Sequence, residues 1–154
     1  MTFEIFISYS HKDKKFRDKL ANHLSNLRRL GVISDWYDGD IIPGSEWKPQ
    51  ILRHLRTAQV ILLLISADFM ASDFCYSIEM QEAIERHHRN EARVIPILLR
   101  SIDYKGSPFE RLQILPSGAV PVNKWPLADD AYKDIVEGIR RVIDSMTGGV
   151  GTGP

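Results

Sequence analysis

Val60-Ile61-Leu62-Leu63-Leu64-Ile65 is the longest apolar run in the chain. It is far too short to span a bilayer, which takes roughly 20 residues as a helix. No polar residue alternates with its apolar ones, so both of its faces must be buried. That is the signature of a strand in the middle of a parallel sheet. The flanking sequence agrees. Upstream, Trp47, Ile51, Leu55 and Ala58 form an apolar helix stripe, with Pro49 tolerable only in the first turn. Downstream, Tyr76, Met80, Ala83, Ile84 and His87 form another, on a helix over about 74–89 reached through a loop from Ser66 to Asp73.

The alternation of strand and helix continues to both ends. Phe3 to Ser8 is a first strand. Ser10 opens a helix, with Asp13 placed as in a capping box, an apolar stripe of Phe16, Leu20, Leu24, Leu27 and Leu30, and Gly31 at its end. Val32 to Tyr37 reads as a second strand. Asp38-Gly39-Asp40 and Pro43-Gly44 make 38–45 a loop. Val94 to Leu99 is a fourth strand, and Pro96 puts it near a sheet edge or at a bulge. Residues 100–118 read as irregular, Ala119 to Val122 as a short fifth strand, and Ala131, Ile135, Ile139, Val142 and Met146 as the last helix stripe. The expected fold is α/β and flavodoxin-like: a five-stranded parallel sheet, order 2-1-3-4-5, with helices on both faces. One domain should cover 1–147. The glycine-rich 148–154 reads as a flexible tail or linker remnant. It has the glycines of a phosphate loop, but Pro154 stands where the lysine would be.

Composition narrows the function. Apolar residues at 44% and charged residues at 26% suffice for a packed core, and 154 residues fit one domain. The net charge of zero provides no long-range field to attract nucleic acid or an anionic membrane. Cys75 is the only cysteine, so no internal disulfide forms, and a small inert hydrophobe is its ordinary role. There is no basic-then-apolar leader at the N-terminus. A cytoplasmic setting is expected. The five histidines have no metal-ligand spacing, so no metal site is expected. No Rossmann fingerprint follows the first strand.

In an open parallel sheet, ligands bind at the carboxyl ends of the strands, where the strand order reverses. Here that is between strands one and three. Ser8, Tyr9 and Ser10, the start of the first helix with His11, Lys12 and Lys14, and the first turns of the third helix should meet there. The loop 38–45 lies at the same end as a candidate lid.

Three blocks then resemble one family in order and spacing. Phe3-Glu4-Ile5-Phe6-Ile7-Ser8-Tyr9-Ser10 is similar to the first box of Toll/interleukin-1 receptor (TIR) domains. Trp36-Tyr37-Asp38-Gly39-Asp40-Ile41-Ile42-Pro43-Gly44-Ser45-Glu46-Trp47 resembles the second box and its BB loop. Ser72-Asp73-Phe74-Cys75-Tyr76-Ser77-Ile78-Glu79-Met80 resembles the segment that carries the catalytic glutamate of microbial, NAD⁺-cleaving members. Trp125 stands near the third box. The family often has an aromatic residue four positions before that glutamate. Here Cys75 occupies the position and Phe74 lies five before, which keeps Glu82, one turn on, as an alternative to Glu79.

The resemblance implies an NAD⁺ nucleosidase of bacterial immune signalling or antiphage defence, with Glu79 catalytic and NAD⁺ as substrate, not redox cofactor. The nicotinamide leaves neutral and needs no proton, so one carboxylate facing an oxocarbenium-like ribose is enough. Ser8, Tyr9, Ser10, Asp38, Trp47 and Phe74 are candidate substrate contacts. Each has a plainer role: Ser10 as a helix cap, Asp38 as a turn residue, Trp47 and Phe74 as core. The family also implies head-to-tail self-assembly of TIR domains through the BB loop 38–45. A non-enzymatic TIR–TIR adaptor is the alternative.

Overall fold

A computed structural model describes residues 2–41 and 49–147 of the chain. Four parallel strands form the sheet: β1 (Phe3–Ser10), β2 (Ile33–Ile41), β3 (Val60–Ile65) and β4 (Arg93–Leu98), in the order β2-β1-β3-β4. The helices are α1 (Lys14–Arg29), α2 (Pro49–Thr57), α3 (Ala67–Met70), α4 (Ile78–His88) and α5 (Ala128–Met146).

β3 occupies the expected residues, and none of its side chains is more than 1% exposed. Strand alternation divides the interior into two cores. Ile5, Ile7 and Tyr9 of β1 join Leu62 and Leu64 of β3 under α1 and α5, against Leu20, Leu24, Tyr132 and Ile135. Phe6, with Ile61, Leu63 and Ile65, faces the other way, against Leu55 of α2, Phe69 of α3, and Met80 and Ala83 of α4. Pro49 is the first described residue of α2. Gly31 sits past the end of α1 at φ +75°, a conformation that suits glycine at a helix stop.

Four expectations need correction. β2 does not stop at Tyr37 but runs through Asp38-Gly39-Asp40 to Ile41, paired with β1 up to Ser10↔Ile41. The carboxylates that suggested a turn are held instead by α1 and the segment before it. Arg17 pairs with Asp38, and His11 bonds Asp40 at 2.9 Å. The rest of the expected loop, 42–45, and the stripe residue Trp47 lie outside the described residues. Second, the Ser10–Asp13 capping box does not form. Ser10 Oγ accepts from Lys12 N at 3.4 Å, and Asp13 turns inward to 1% exposure. Third, α4 starts at Ile78 rather than near 74. Ser77 caps it, its hydroxyl accepting from Met80 N at 3.1 Å, after a 3-10 turn over Asp73–Tyr76. That turn sends Phe74 and Cys75 inward and leaves Tyr76, expected on the buried stripe, 60% exposed.

Fourth, Ala119–Val122 is not a strand. Ser117–Ala119 and Val122–Lys124 are 3-10 turns, separated by Pro121, which has no N–H to give a ladder. Beside β4 stands only a single bridge at Leu115, bonded to Pro96 O at 2.9 Å and by Leu98 N at 2.8 Å. The sheet is thus four-stranded, with β4 at an edge, as Pro96 led one to expect.

At the start of β4, Val94 N donates to His87 Nδ1 at 3.0 Å. Burial, then the charges of Arg93 and His88, hold this imidazole below its ordinary pKa of 6.5. The unfolded chain therefore takes up a proton at higher pH than the native one, so this group favours folding above about pH 6.5 and less as pH falls. The melting temperature should drop between pH 7.5 and about 5.5, and drop less in His87→Gln. Equal slopes in thermal scans would show that His87 does not contribute.

Candidate functional site

The candidate site lies where β1 and β3 part. Their pairing ends at Ser8↔Leu63, while β1 continues with β2 to Ser10↔Ile41 and β3 with β4 to Ile65↔Leu98. That divergence, at the carboxyl ends of the strands and the reversal of strand order, is where an open parallel sheet places its ligand crevice.

Ser8 is the last residue of β1 paired to β3. It alternates with Phe6, so it faces the α2 and α4 side of the sheet. Ser8 is fully buried and its hydroxyl has no hydrogen-bond partner among the described residues. Buried hydroxyls are nearly always partnered, so an orphan here marks a place where a ligand or water belongs. Ser10 is 6% exposed and its hydroxyl serves the cap described above.

Glu79 is the second residue of α4, on the same side of the sheet as Ser8 and at the end of that helix reached from β3. It is half-buried and has no hydrogen bond or ion pair with a described residue. Glu82, one turn on, is in a different situation: Arg56 of α2 donates to it at 3.1 Å. Of the two acids, Glu79 is the one left open.

The other expected contacts divide. Tyr9 is 2% exposed in the α1/α5 core, with Arg17 5.9 Å above its ring, so it lies across the sheet from Ser8. Burial, with Asp40 nearby, pushes its phenol up to about 12. Phe74 is 4% exposed and packs edge-on against Phe69 at 6.2 Å, so its ring is core. Asp38 is held by Arg17, and Trp47 lies outside the described residues. Cys75 is fully buried, with its thiol pushed up to about 11 by that burial, which suits an inert hydrophobe. His11 and Lys12, expected at this end of the sheet, are partnered by Asp40 and Asp68.

One cluster was not anticipated. Asp13 accepts from Arg100 at 2.7 Å and from the Ser66 hydroxyl, and Arg100 also donates to Asp68 at 3.1 Å. Ser66 Oγ in turn caps α3. These contacts join the segments that follow β1, β3 and β4, and so fix the rim of the crevice. Sequence separations of 53 and 87 residues leave no local pattern from which to read them.

Residues 5–139 match the TIR domain family, and the chain belongs to it. It is 46% identical over 143 residues to an uncharacterized protein, y4lF, of Sinorhizobium fredii (strain NBRC 101917 / NGR234). That match covers 93% of this chain but 44% of the relative, so the chain spans less than half of that protein's length. Among the described residues, no helix is long and apolar enough to cross a membrane, and no group of three His, Cys, Asp or Glu is placed to hold a metal ion.

Proposed function

We propose that this domain is an NAD⁺ nucleosidase in which Glu79 is the essential carboxylate. The observation that carries this reading is a half-buried acid, without a partner among the described residues, on the side of the β1/β3 crevice where Ser8 keeps an orphan hydroxyl. With the dinucleotide in the crevice, Glu79 faces the nicotinamide ribose. As the C–N bond breaks, its electron pair leaves with the pyridinium nitrogen and neutral nicotinamide departs. The carboxylate stabilises the positive charge that grows on the sugar. Water then adds to the ribose and loses a proton, giving ADP-ribose. If a nucleophile of the same molecule adds instead, a cyclic ADP-ribose forms. Bacterial immune signalling or antiphage defence is the setting that fits either product.

Assembly forms part of the proposal. Tyr76 and Ile78, just before Glu79, are 60% and 70% exposed. Large apolar side chains beside a site suit cover by a second copy. In this reading TIR domains stack head to tail through the BB segment 38–45, whose first four residues end β2, and complete one another's crevices, in the cytoplasm. The same two side chains also favour the second reading, a docking module without catalysis.

Purified protein incubated with NAD⁺ at rising concentration should release nicotinamide with a rate per molecule that increases as copies associate. Chromatography of the ribosyl product separates hydrolase from cyclase. If no nicotinamide appears even under crowding, the adaptor reading stands.

A further inference from the structure

A second cleft, of about 380 Å³, lies away from this crevice, between the amino half of β4, the segment before Leu115 and α5. Its wall includes His87, at the far end of α4 from Glu79 and about 12 Å along the helix axis. Arg93, Arg111 and Arg141 line it, and no Asp or Glu does. Arg93 donates to uncharged acceptors only, Asn90 Oδ1 at 3.1 Å and Ala92 O at 3.3 Å. Arg111 and Arg141 have no hydrogen bond or ion pair with a described residue. Elsewhere on this neutral chain several arginines pair with acids, Arg17 with Asp38, Arg28 with Asp35, Arg56 with Glu82 and Arg100 with Asp13, while Arg29, Arg53 and Arg140 pair with no described residue. An anion in this cleft meets three arginine side chains and no acid among its lining residues.

We propose that this cleft binds a small, multiply charged phosphate ligand of the pyrophosphate class. The volume is that of a small-molecule pocket. Guanidinium groups present paired N–H donors that match phosphate oxygens. His87 adds a further donor: its Nδ1 accepts from Val94 N, which leaves the proton on Nε2. The proposal does not depend on Glu79 or on any reaction at the crevice.

Inorganic pyrophosphate is the probe. Titrated into the wild-type protein at low salt, it should bind, shift the Nε–Hε signals of Arg93, Arg111 and Arg141 in NMR spectra, and weaken as salt rises. The double variant Arg111→Ala/Arg141→Ala removes two exposed side chains, and binding should weaken about a hundredfold. Glu79→Gln should bind pyrophosphate as the wild type does. The proposal fails if the wild type binds no pyrophosphate, or if the arginine signals stay still when it binds. It also fails if the double variant binds equally well. Should the double variant lose only self-association in size-exclusion chromatography, with no pyrophosphate bound by either protein, the cleft belongs to a second copy of the chain and the proposal is overturned.

Discussion

Glu79→Gln should lower nicotinamide release about a hundred- to a thousandfold while leaving the fold in place. Glutamine keeps the volume and a carbonyl oxygen but not the negative charge. What disappears is the electrostatic stabilisation of the ribosyl cation, an effect of roughly 2.7–4 kcal/mol when a single well-placed group is removed from an active site. The cost to stability is small. Glu79 has no ion pair with a described residue to break, and only its interaction with the α4 dipole is lost, about 0.3–1 kcal/mol. Glu82→Gln is the internal control. It breaks the Arg56 pair, which is substantially exposed on both sides and so contributes at most about 1 kcal/mol, and it should retain activity. Nicotinamide release measured for the three proteins, beside their melting curves, decides the matter. Activity that survives in Glu79→Gln and disappears in Glu82→Gln would transfer the role one turn along the helix.

Arg100→Ala should produce the largest loss of stability, about 3 kcal/mol. The reason lies with its partner. Asp13 is 1% exposed, and without Arg100 its carboxylate keeps only the Ser66 hydroxyl in a place closed to water. Removing one partner of a buried pair leaves a charge with no compensation. For a domain of this length the melting temperature should fall by about 6–12 °C. Asp13→Ala/Arg100→Ala should lose less than the sum of the two single changes, because the second removes a charge the first has stranded. A melting temperature for Arg100→Ala within about 2 °C of wild type would mean that Asp13 is served by other means.

The parts of the fold that could be read from the sequence are those set by short-range rules. Six consecutive apolar residues fixed β3 to the residue, and Gly31 marked the end beyond α1. The errors arose where distant partners outweighed local chemistry. Asp38-Gly39-Asp40 has turn residues, yet Arg17, His11 and the β1 ladder keep it extended. Asp13 looked like a capping acid until Arg100, 87 residues away, claimed it. At the site, Ser8 and Glu79 lie on one side of the sheet. Tyr9 and Phe74 turned out to be core because their direction depends on strand parity and on a 3-10 turn. Of these two cues, strand parity can be read from the alternation Phe6, Ser8. The turn was signalled only by Ser77, a capping residue followed two positions later by an acid.

The outer side of β4 has a consequence for how copies can meet. Its outward donors belong to alternate residues. Val94 N–H is taken by the His87 ring, Pro96 has none, and Leu98 N–H goes to Leu115. Along this edge no backbone N–H remains to template a foreign strand, so fibril-like growth of the sheet is blocked there without a fifth strand to cover it. A second molecule on this flank finds no backbone N–H of β4 to bond and must meet side chains or carbonyl oxygens instead.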